Sequence, residues 1–456
     1  MKALEYAHAN QAQFLAELKE FLSIPSVSTQ GKHKADMERA AAWLKEEMLA
    51  AGFPKAEVKS TLGHPVVYGE WLAAGPNAPT VLIYGHYDVQ PPDPLDKWNT
   101  PPFEPTIVGD DIFARGAADD KGQLYIHVKA AEVFKETVGA PPVNVKCLFE
   151  GEEECGSPSL APFIQEHADL LAADIAVISD THILGKESPS IVYALRGLAY
   201  GEIEVAGPAH DLHSGTYGGA VHNPIHALCS MIAQLHDEEG HITIPGFYDK
   251  VKKLSPEERA EMAEIPFERE AWLQEAGVKS DWGEGEYSII ERTSTRPTLD
   301  INGIWGGYTE AGGKTVLPSK AFAKLSMRLV PSQEPEEILN LLQEYLSQLA
   351  PPTVEVAVHK AHGIAGIIVQ RDNPAMAAAV QAYAKTFGRE PIFTREGGSI
   401  PVVTMFQKLL GLETILMGFG LPDDRLHSPN EKFHLPNFYK GIETIINFMN
   451  LLAYGD

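Results

Sequence analysis

The sequence predicts an α/β protein: a mixed sheet flanked by helices, with a ferredoxin-like α+β domain inserted into it. Three observations point there. Up to about residue 196, short apolar runs alternate with helical stretches, the pattern of an α/β sheet. From Tyr200 to Val205 apolar and polar residues alternate, as in a half-exposed antiparallel strand. The α/β pattern resumes at Asn373. The chain therefore reads as a discontinuous domain, 1–196 with 369–456, around an inserted one, 197–368.

In the larger domain, Phe14, Leu18 and Leu22 recur at helical spacing and Pro25 ends that helix. A second helix runs from about Asp36 to Ala51, with Gly52 as its stop. Strands follow at Val66–Leu72 and Thr80–Tyr84. A helix after Lys121-Gly122 carries Leu124, Val128, Ala131 and Phe134. Strand Val143–Phe149, helix Pro158–His167 and strand Asp174–Ser179 come next. The C-terminal part reads as helix to Phe387, strand Ile392–Thr394, helix Pro401–Leu410, strand Thr414–Met417 and a last helix from Pro436.

The inserted domain reads as strand Tyr200–Val205, helix Pro224–Leu235, strands Thr298–Ile304 and Ala321–Leu329, helix Pro335–Leu349 and strand Thr353–Val358. That order is the split βαβ plan. Residues 237–283, rich in charge and proline, interrupt it. Within them Ser255-Pro256-Glu257-Glu258 is a capping box with proline at the first helical position.

Composition limits the function classes. The formal charge of −25 opposes binding to nucleic acid or an anionic membrane. No stretch approaches the roughly 18 apolar residues of a membrane span. Met1–Asn10 lacks the apolar core of a signal peptide. Cys147, Cys155 and Cys229 are odd in number and fit no zinc or redox spacing, so they read as free thiols in a reducing compartment. A cytoplasmic location is the expectation.

The chemistry lies at the ends of three apolar runs. Val81–Tyr84 leads into Gly85-His86-Tyr87-Asp88. Val145–Phe149 leads into Glu150-Gly151-Glu152-Glu153-Glu154. Ile175–Ile178 leads into Ser179-Asp180. Ligands of open α/β sheets sit beyond the carboxyl ends of the strands, so these residues share one rim. Asp119-Asp120 opens the intervening helix. Each signal has an ordinary structural explanation alone: a turn histidine, a helix cap, an acidic turn. Jointly, imidazole and carboxylates without thiolate are the donor set of a hydrolytic metal site, with two zinc or manganese ions.

Seven motifs then resemble one family in the right order. They are Gly85-His86-Tyr87-Asp88-Val89-Gln90-Pro91, Arg115 to Gly122, Glu150 to Ser157 and Asp211-Leu212-His213-Ser214-Gly215. Met327 to Pro331, Arg395 to Pro401 and His427-Ser428-Pro429-Asn430-Glu431 complete the set. Over nearly its whole length the chain resembles the carnosinase and cytosolic non-specific dipeptidase branch of the dinuclear zinc metallopeptidases. Acetylornithine deacetylase, succinyl-diaminopimelate desuccinylase and glutamate carboxypeptidases are wider relatives. The resemblance implies a zinc-peptidase-like sheet and metal-dependent hydrolysis of dipeptides and other short peptides.

It also implies roles. His86 and Asp180 would hold one metal, Glu154 and His427 the other, and Asp119 both. The Asp119–Asp120 peptide would be cis. Asp88 would orient His86, and Glu153 would be the general base. His213 would stabilise the oxyanion from a partner subunit. Thr315, Arg328, Gly398 and Ser399 would bind substrate. The inserted domain would be a lid that forms a homodimer. Two divalent ions per subunit are implied, zinc first and manganese as the alternative.

Cys155 stands where serine is more usual and Tyr87 where leucine or isoleucine is, but neither is a ligand position. The 237–283 insertion favours a dipeptidase over the alternative, a deacylase of N-acetyl or N-succinyl amino acids. A non-catalytic scaffold is disfavoured by the presence of His86, Asp119 and Glu153. A nucleotide-binding enzyme lacks its glycine motif here.

Overall fold

The computed structural model describes residues 2–398 and 400–455. The chain forms two compact units. One comprises Met1–Tyr193, Val369–Thr394 and Pro401–Asp456; the other comprises Ala194–Ile368 with Arg395–Ile400.

The first unit is built on a mixed sheet. Its strands lie in the order Lys55–Lys59, Val66–Trp71, Asn144–Glu150, Thr80–His86, Ile175–Ile178, Thr414–Leu416, Ser190–Leu195. The central strands are parallel: Thr80–His86 pairs with both Asn144–Glu150 and Ile175–Ile178, and Thr414–Leu416 pairs with Ile175–Ile178. Lys55–Lys59, Val66–Trp71 and Ser190–Leu195 pair antiparallel. Strands buried on both faces read as unbroken apolar runs, and Asn144–Glu150 is buried at every position.

Helices cover the sheet. Lys121–Val138 is buried without a break from Lys121 to Phe134. Its companions are Pro374–Phe387 and Leu435–Tyr454. On the other side of the chain order, Gln11–Leu22 buries Phe14, Leu18, Phe21 and Leu22, and Lys34–Ala50 buries Met37, Ala40, Ala41, Leu44 and Met48. Each fully buried large apolar side chain contributes about 1.5–3 kcal/mol against exposure.

Two buried lysines of Lys121–Val138 are satisfied. Lys121 Nζ donates to the carbonyls of Phe21 (3.1 Å) and Ile24 (2.6 Å), and Lys129 pairs with Glu17 and Glu132.

The elements read from the sequence are present, with shifts of one to three residues at many ends, and strand Thr353–Val358 lies instead at Glu355–Ile364, six residues longer at its end. One helix differs in kind. Pro401–Leu410 is α-helical only to Met405 and then widens into a π-turn, Phe406–Leu410. Missed elements include short ones without apolar periodicity, namely helix Ala3–Ala9, strand Lys55–Lys59 and the small sheet of Thr106–Val108, Asp111–Phe113 and Lys432–His434, and also the fully buried apolar strand Ser190–Leu195.

The second unit carries a four-stranded antiparallel sheet, Asp300–Gly306, Lys320–Leu329, Gly197–Ala206, Glu355–Ile364. With helices Pro224–Ile232 and Pro335–Leu349 in sequence order, this is the split βαβ arrangement. Gly197–Ala206 alternates buried and half-buried side chains along its length. Its inward residues pack with Leu228, Met231, Leu339, Leu342 and Leu346. The interrupting segment extends past the expected 237–283 to residue 296 and forms helices Pro256–Ala263, Arg269–Ala276 and Ile289–Ser294.

Candidate metal centre

Parallel strand ends deliver the first residues. His86 closes Thr80–His86 in register with Glu150, the last residue of the neighbouring strand. Glu153 and Glu154 sit on the 3-10 turn Glu153–Cys155 just beyond. Asp180 lies two residues past Ile175–Ile178. Asp119 precedes helix Lys121–Val138, and the Asp119–Asp120 peptide is cis. Gly85 allows close packing there: a Cβ would lie 2.8 Å from Asp120 Oδ2.

Two clusters result. His86, Asp119 and Asp180 form one, and Asp119, Glu154 and His427 the other, with potential ligand atoms within 4.8 Å of one another in each. Asp119 is common to both. Its Oδ1 is 3.1 Å from His86 Nε2, and its Oδ2 is 2.9 Å from His427 Nε2. Asp180 Oδ2 is 3.8 Å from His86 Nε2, and Glu154 Oε2 is 3.3 Å from His427 Nε2.

The donor set fits divalent cations. His86 Nε2 is fully buried yet has no aligned hydrogen-bond partner, although it faces two carboxylates. A buried polar atom in that position is costly unless something is bound to it. Burial, with the charge of Asp120 next, pushes Asp180 well above the usual carboxylate range. Burial also works to raise Asp119, but the His427 and His86 imidazoles beside its two oxygens hold it well below that range. Imidazole with carboxylates suits zinc or manganese.

Neighbouring groups fix the donors. Asp88 accepts the backbone N–H groups of Glu153 (3.2 Å) and Glu154 (3.1 Å). His86 Nδ1 is 3.1 Å from the Asp88 carbonyl oxygen and 3.4 Å from its carboxylate. The nearer contact of the imidazole is thus the main chain of Asp88. Burial, together with the charges of Glu154, Asp119 and Asp88 and against that of His86, pushes Glu153 up to about 7. A general base works best with a pKa near the operating pH.

Sequence reasoning assigned no role to Glu431. It is fully buried and accepts four hydrogen bonds: Arg115 Nη1 (2.7 Å) and the N–H groups of Gly116 (2.9 Å), Ala118 (3.0 Å) and Asp119 (3.2 Å). It ties the His427 loop to the segment presenting Asp119. Gln90 also went unread; its Nε2 donates to Glu154 Oε2 at 2.8 Å. The available signal was that both lie inside motifs already singled out.

The second unit holds the remaining residues named from sequence. His213 is exposed and ends the short strand Leu212–His213, which pairs with Val316–Leu317. Ser214 N–H donates to the Thr315 carbonyl at 3.1 Å, so His213 and Thr315 are neighbours. Arg328 lies on Lys320–Leu329 and lines a cavity of about 380 Å³ with Arg196, Trp282 and Asp300. Gly398 is exposed. Ser399 lies outside the described residues.

With this geometry in place, the comparisons decide the family. Residues 82–451 match the peptidase family M20/M25/M40.

The chain belongs to that family.

The M20 chain is 34% identical to a Cys-Gly metallodipeptidase of Schizosaccharomyces pombe, over 99% of this chain and 98% of that one. It is 32% identical to the human Beta-Ala-His dipeptidase, over 99% and 92%. Among solved structures, an M20 family metallo-carboxypeptidase of Sulfolobus solfataricus superposes with a TM-score of 0.84 at 34% identity, over 96% of this chain and 99% of that one. The dipeptidase Dug1p of Saccharomyces cerevisiae gives 0.83 at 31%, over 99% and 98%. The mixed α/β fold with its large flanked sheet is the one these M20 structures share.

Proposed function

We propose that this chain is a two-metal dipeptidase that hydrolyses dipeptides and other short peptides with a free C-terminus. One observation carries the reading: the two oxygens of Asp119 point to different histidines, one in each cluster. His86 and Asp180 would hold one ion, Glu154 and His427 the other, and Asp119 would serve both. When bound, the ions supply Lewis acidity toward the scissile carbonyl and acidify water.

The chain's own residues do the rest. Asp88 holds His86 in position and fixes the turn carrying Glu153 and Glu154. Glu153, raised to about 7, takes a proton from the attacking water and returns it to the leaving amine. Arg328 pairs bidentately with the free α-carboxylate, helped by Thr315 and the Gly398-Ser399 backbone. His213 donates to the oxyanion of a partner subunit's site, and the inserted domain, 197–368, makes the two-fold dimer. An oxyanion donor is worth on the order of 10²–10³ in rate. Zinc is the preferred ion, with manganese the alternative.

Among the described residues, no helix is long and apolar enough to cross a membrane. The cytoplasm is the proposed location, in keeping with three free cysteines.

The likeness to a metallo-carboxypeptidase favours a second reading, release of the C-terminal residue from longer or N-blocked chains. The experiment is a substrate panel on stripped enzyme reloaded with zinc or manganese. It compares free dipeptides, C-terminally amidated dipeptides, N-acetyl and N-succinyl amino acids and N-blocked peptides. The proposal expects hydrolysis only with metal, and free dipeptides as the best substrates. Equal rates on amidated and free dipeptides remove Arg328 from its role. Preference for N-blocked substrates replaces the dipeptidase reading with the second one or with a deacylase.

A further inference from the structure

The second unit contains a buried guanidinium that ties two chain segments together. Arg196 is 9% exposed. Its Nε–H donates to the Gly397 carbonyl at 3.4 Å, and its Nη1 donates to the carbonyls of Arg292 (3.4 Å) and Arg296 (3.2 Å). Its backbone N–H donates to the Glu396 carbonyl at 3.1 Å. A guanidinium presents five donors in a rigid fork, so its acceptors are held in fixed relative positions. Here they belong to the segment 395–397 and to the end of the insertion, 292–296.

Gly397 is shaped to this contact. A Cβ on it would lie 2.5 Å from Arg196 Nη2 and 2.5 Å from the Thr293 carbonyl. Any side chain would push the two segments apart.

A second, independent tie lies nearby. Arg395 Nη2 pairs with Glu258 Oε1. Glu258 is the third residue of helix Pro256–Ala263, where its other oxygen accepts the Ser255 N–H at 2.9 Å. The next residue, Arg259, forks onto Glu291 at 2.6 and 2.9 Å. Glu291 in turn closes the capping box of helix Ile289–Ser294. Helices Pro256–Ala263 and Ile289–Ser294 are thus joined to each other, and both are joined to 395–397.

We propose that the insertion between residues 237 and 296 is a brace for the Gly397-Gly398 backbone, with Arg196, Glu258 and Arg395 as positioning residues for substrate binding. This rests on the reading above that the Gly398-Ser399 backbone meets the peptide. A backbone group contributes fully to binding only when held near its bound geometry. None of the three residues touches a reacting atom, so loosening the brace raises KM and leaves kcat and metal content in place.

The test uses full-length, metal-loaded enzyme and two variants, Arg196→Lys and Glu258→Gln. Glu258→Gln keeps an acceptor for the Ser255 N–H and removes only the charge pairing with Arg395, so it covers the case in which Arg196→Lys fails to fold. Amide hydrogen exchange of residues 395–400 is measured with KM, kcat and Tm on a free dipeptide. The expected result is about tenfold faster exchange and about tenfold higher KM, as for loss of one charge-assisted bond, with kcat and Tm nearly unchanged. Unchanged exchange in a folded variant overturns the brace. Faster exchange with unchanged KM overturns the positioning role. If the parent enzyme cleaves no dipeptide, the functional reading fails, and the exchange data still decide the brace.

Discussion

The two candidate metal clusters share Asp119 but are built differently. The His86 side chain is 0% exposed, whereas that of His427 is 56% exposed. His86 ends a central strand and is held through Nδ1 by Asp88. His427 sits in a loop with a positive φ of 58° and is anchored indirectly through Glu431, four residues on. A buried, pre-positioned ligand has little freedom to lose on binding, whereas an exposed loop ligand must be ordered. The comparison teaches that two clusters sharing one carboxylate can differ in how far their donors are pre-positioned; on the proposed two-metal reading, the His86 cluster would hold its ion more tightly than the His427 cluster.

The largest expected effect falls on Glu153, the proposed general base. Glu153→Gln should lower kcat by about 10²–10⁴-fold, the usual weight of a general base, while both ions remain. Loss of metal at near-native kcat per occupied site would exchange the roles of Glu153 and Glu154.

The next breaks the anchor of the exposed half. Glu431→Gln leaves Arg115, 1% exposed, without its countercharge. Breaking a buried pair costs about 3–5 kcal/mol, so Tm should fall. Metal affinity should also drop by roughly 10–100-fold, as for other supporting partners. A variant with parental affinity and lowered Tm would make Glu431 purely structural.

The smallest effect concerns the strand beside His86. Burial pushes Glu150 up to about 8, against hydrogen bonds from Tyr84 and Ser157. A raised folded pKa means that the folded state holds a proton the unfolded state has released, so stability falls as pH rises from about 4.5 toward 8. Glu150→Gln removes this term. Its stability relative to the parent should improve by at most about 1.4 kcal/mol per pH unit in that window and level off above it. A pH-independent difference, measured by Tm in chelator, would mean that Glu150 does not titrate there.

Much of this was legible in the sequence. Apolar runs ending on His86, Glu154 and Asp180 place those donors because strand ends are fixed by period and length. Helix Pro335–Leu349 is read to the residue, having proline at its start and strong apolar spacing. What the sequence hid depends on long-range contacts. Nothing local shows that Glu431 accepts from Gly116, Ala118 and Asp119, more than 300 positions away. Nor does it show that Arg196 bridges Gly397 and the insertion. Short strands such as Lys55–Lys59 take their form from neighbours, and so carry little pattern of their own.

The most direct test of the shared, unequal centre is a calorimetric titration of zinc into stripped protein, parent and His427→Ala side by side. The account predicts two binding steps per parent chain, a tighter and a weaker, with His427→Ala losing the weaker step and keeping the tighter. A single step in the parent, or loss of the tighter step in His427→Ala, would contradict it.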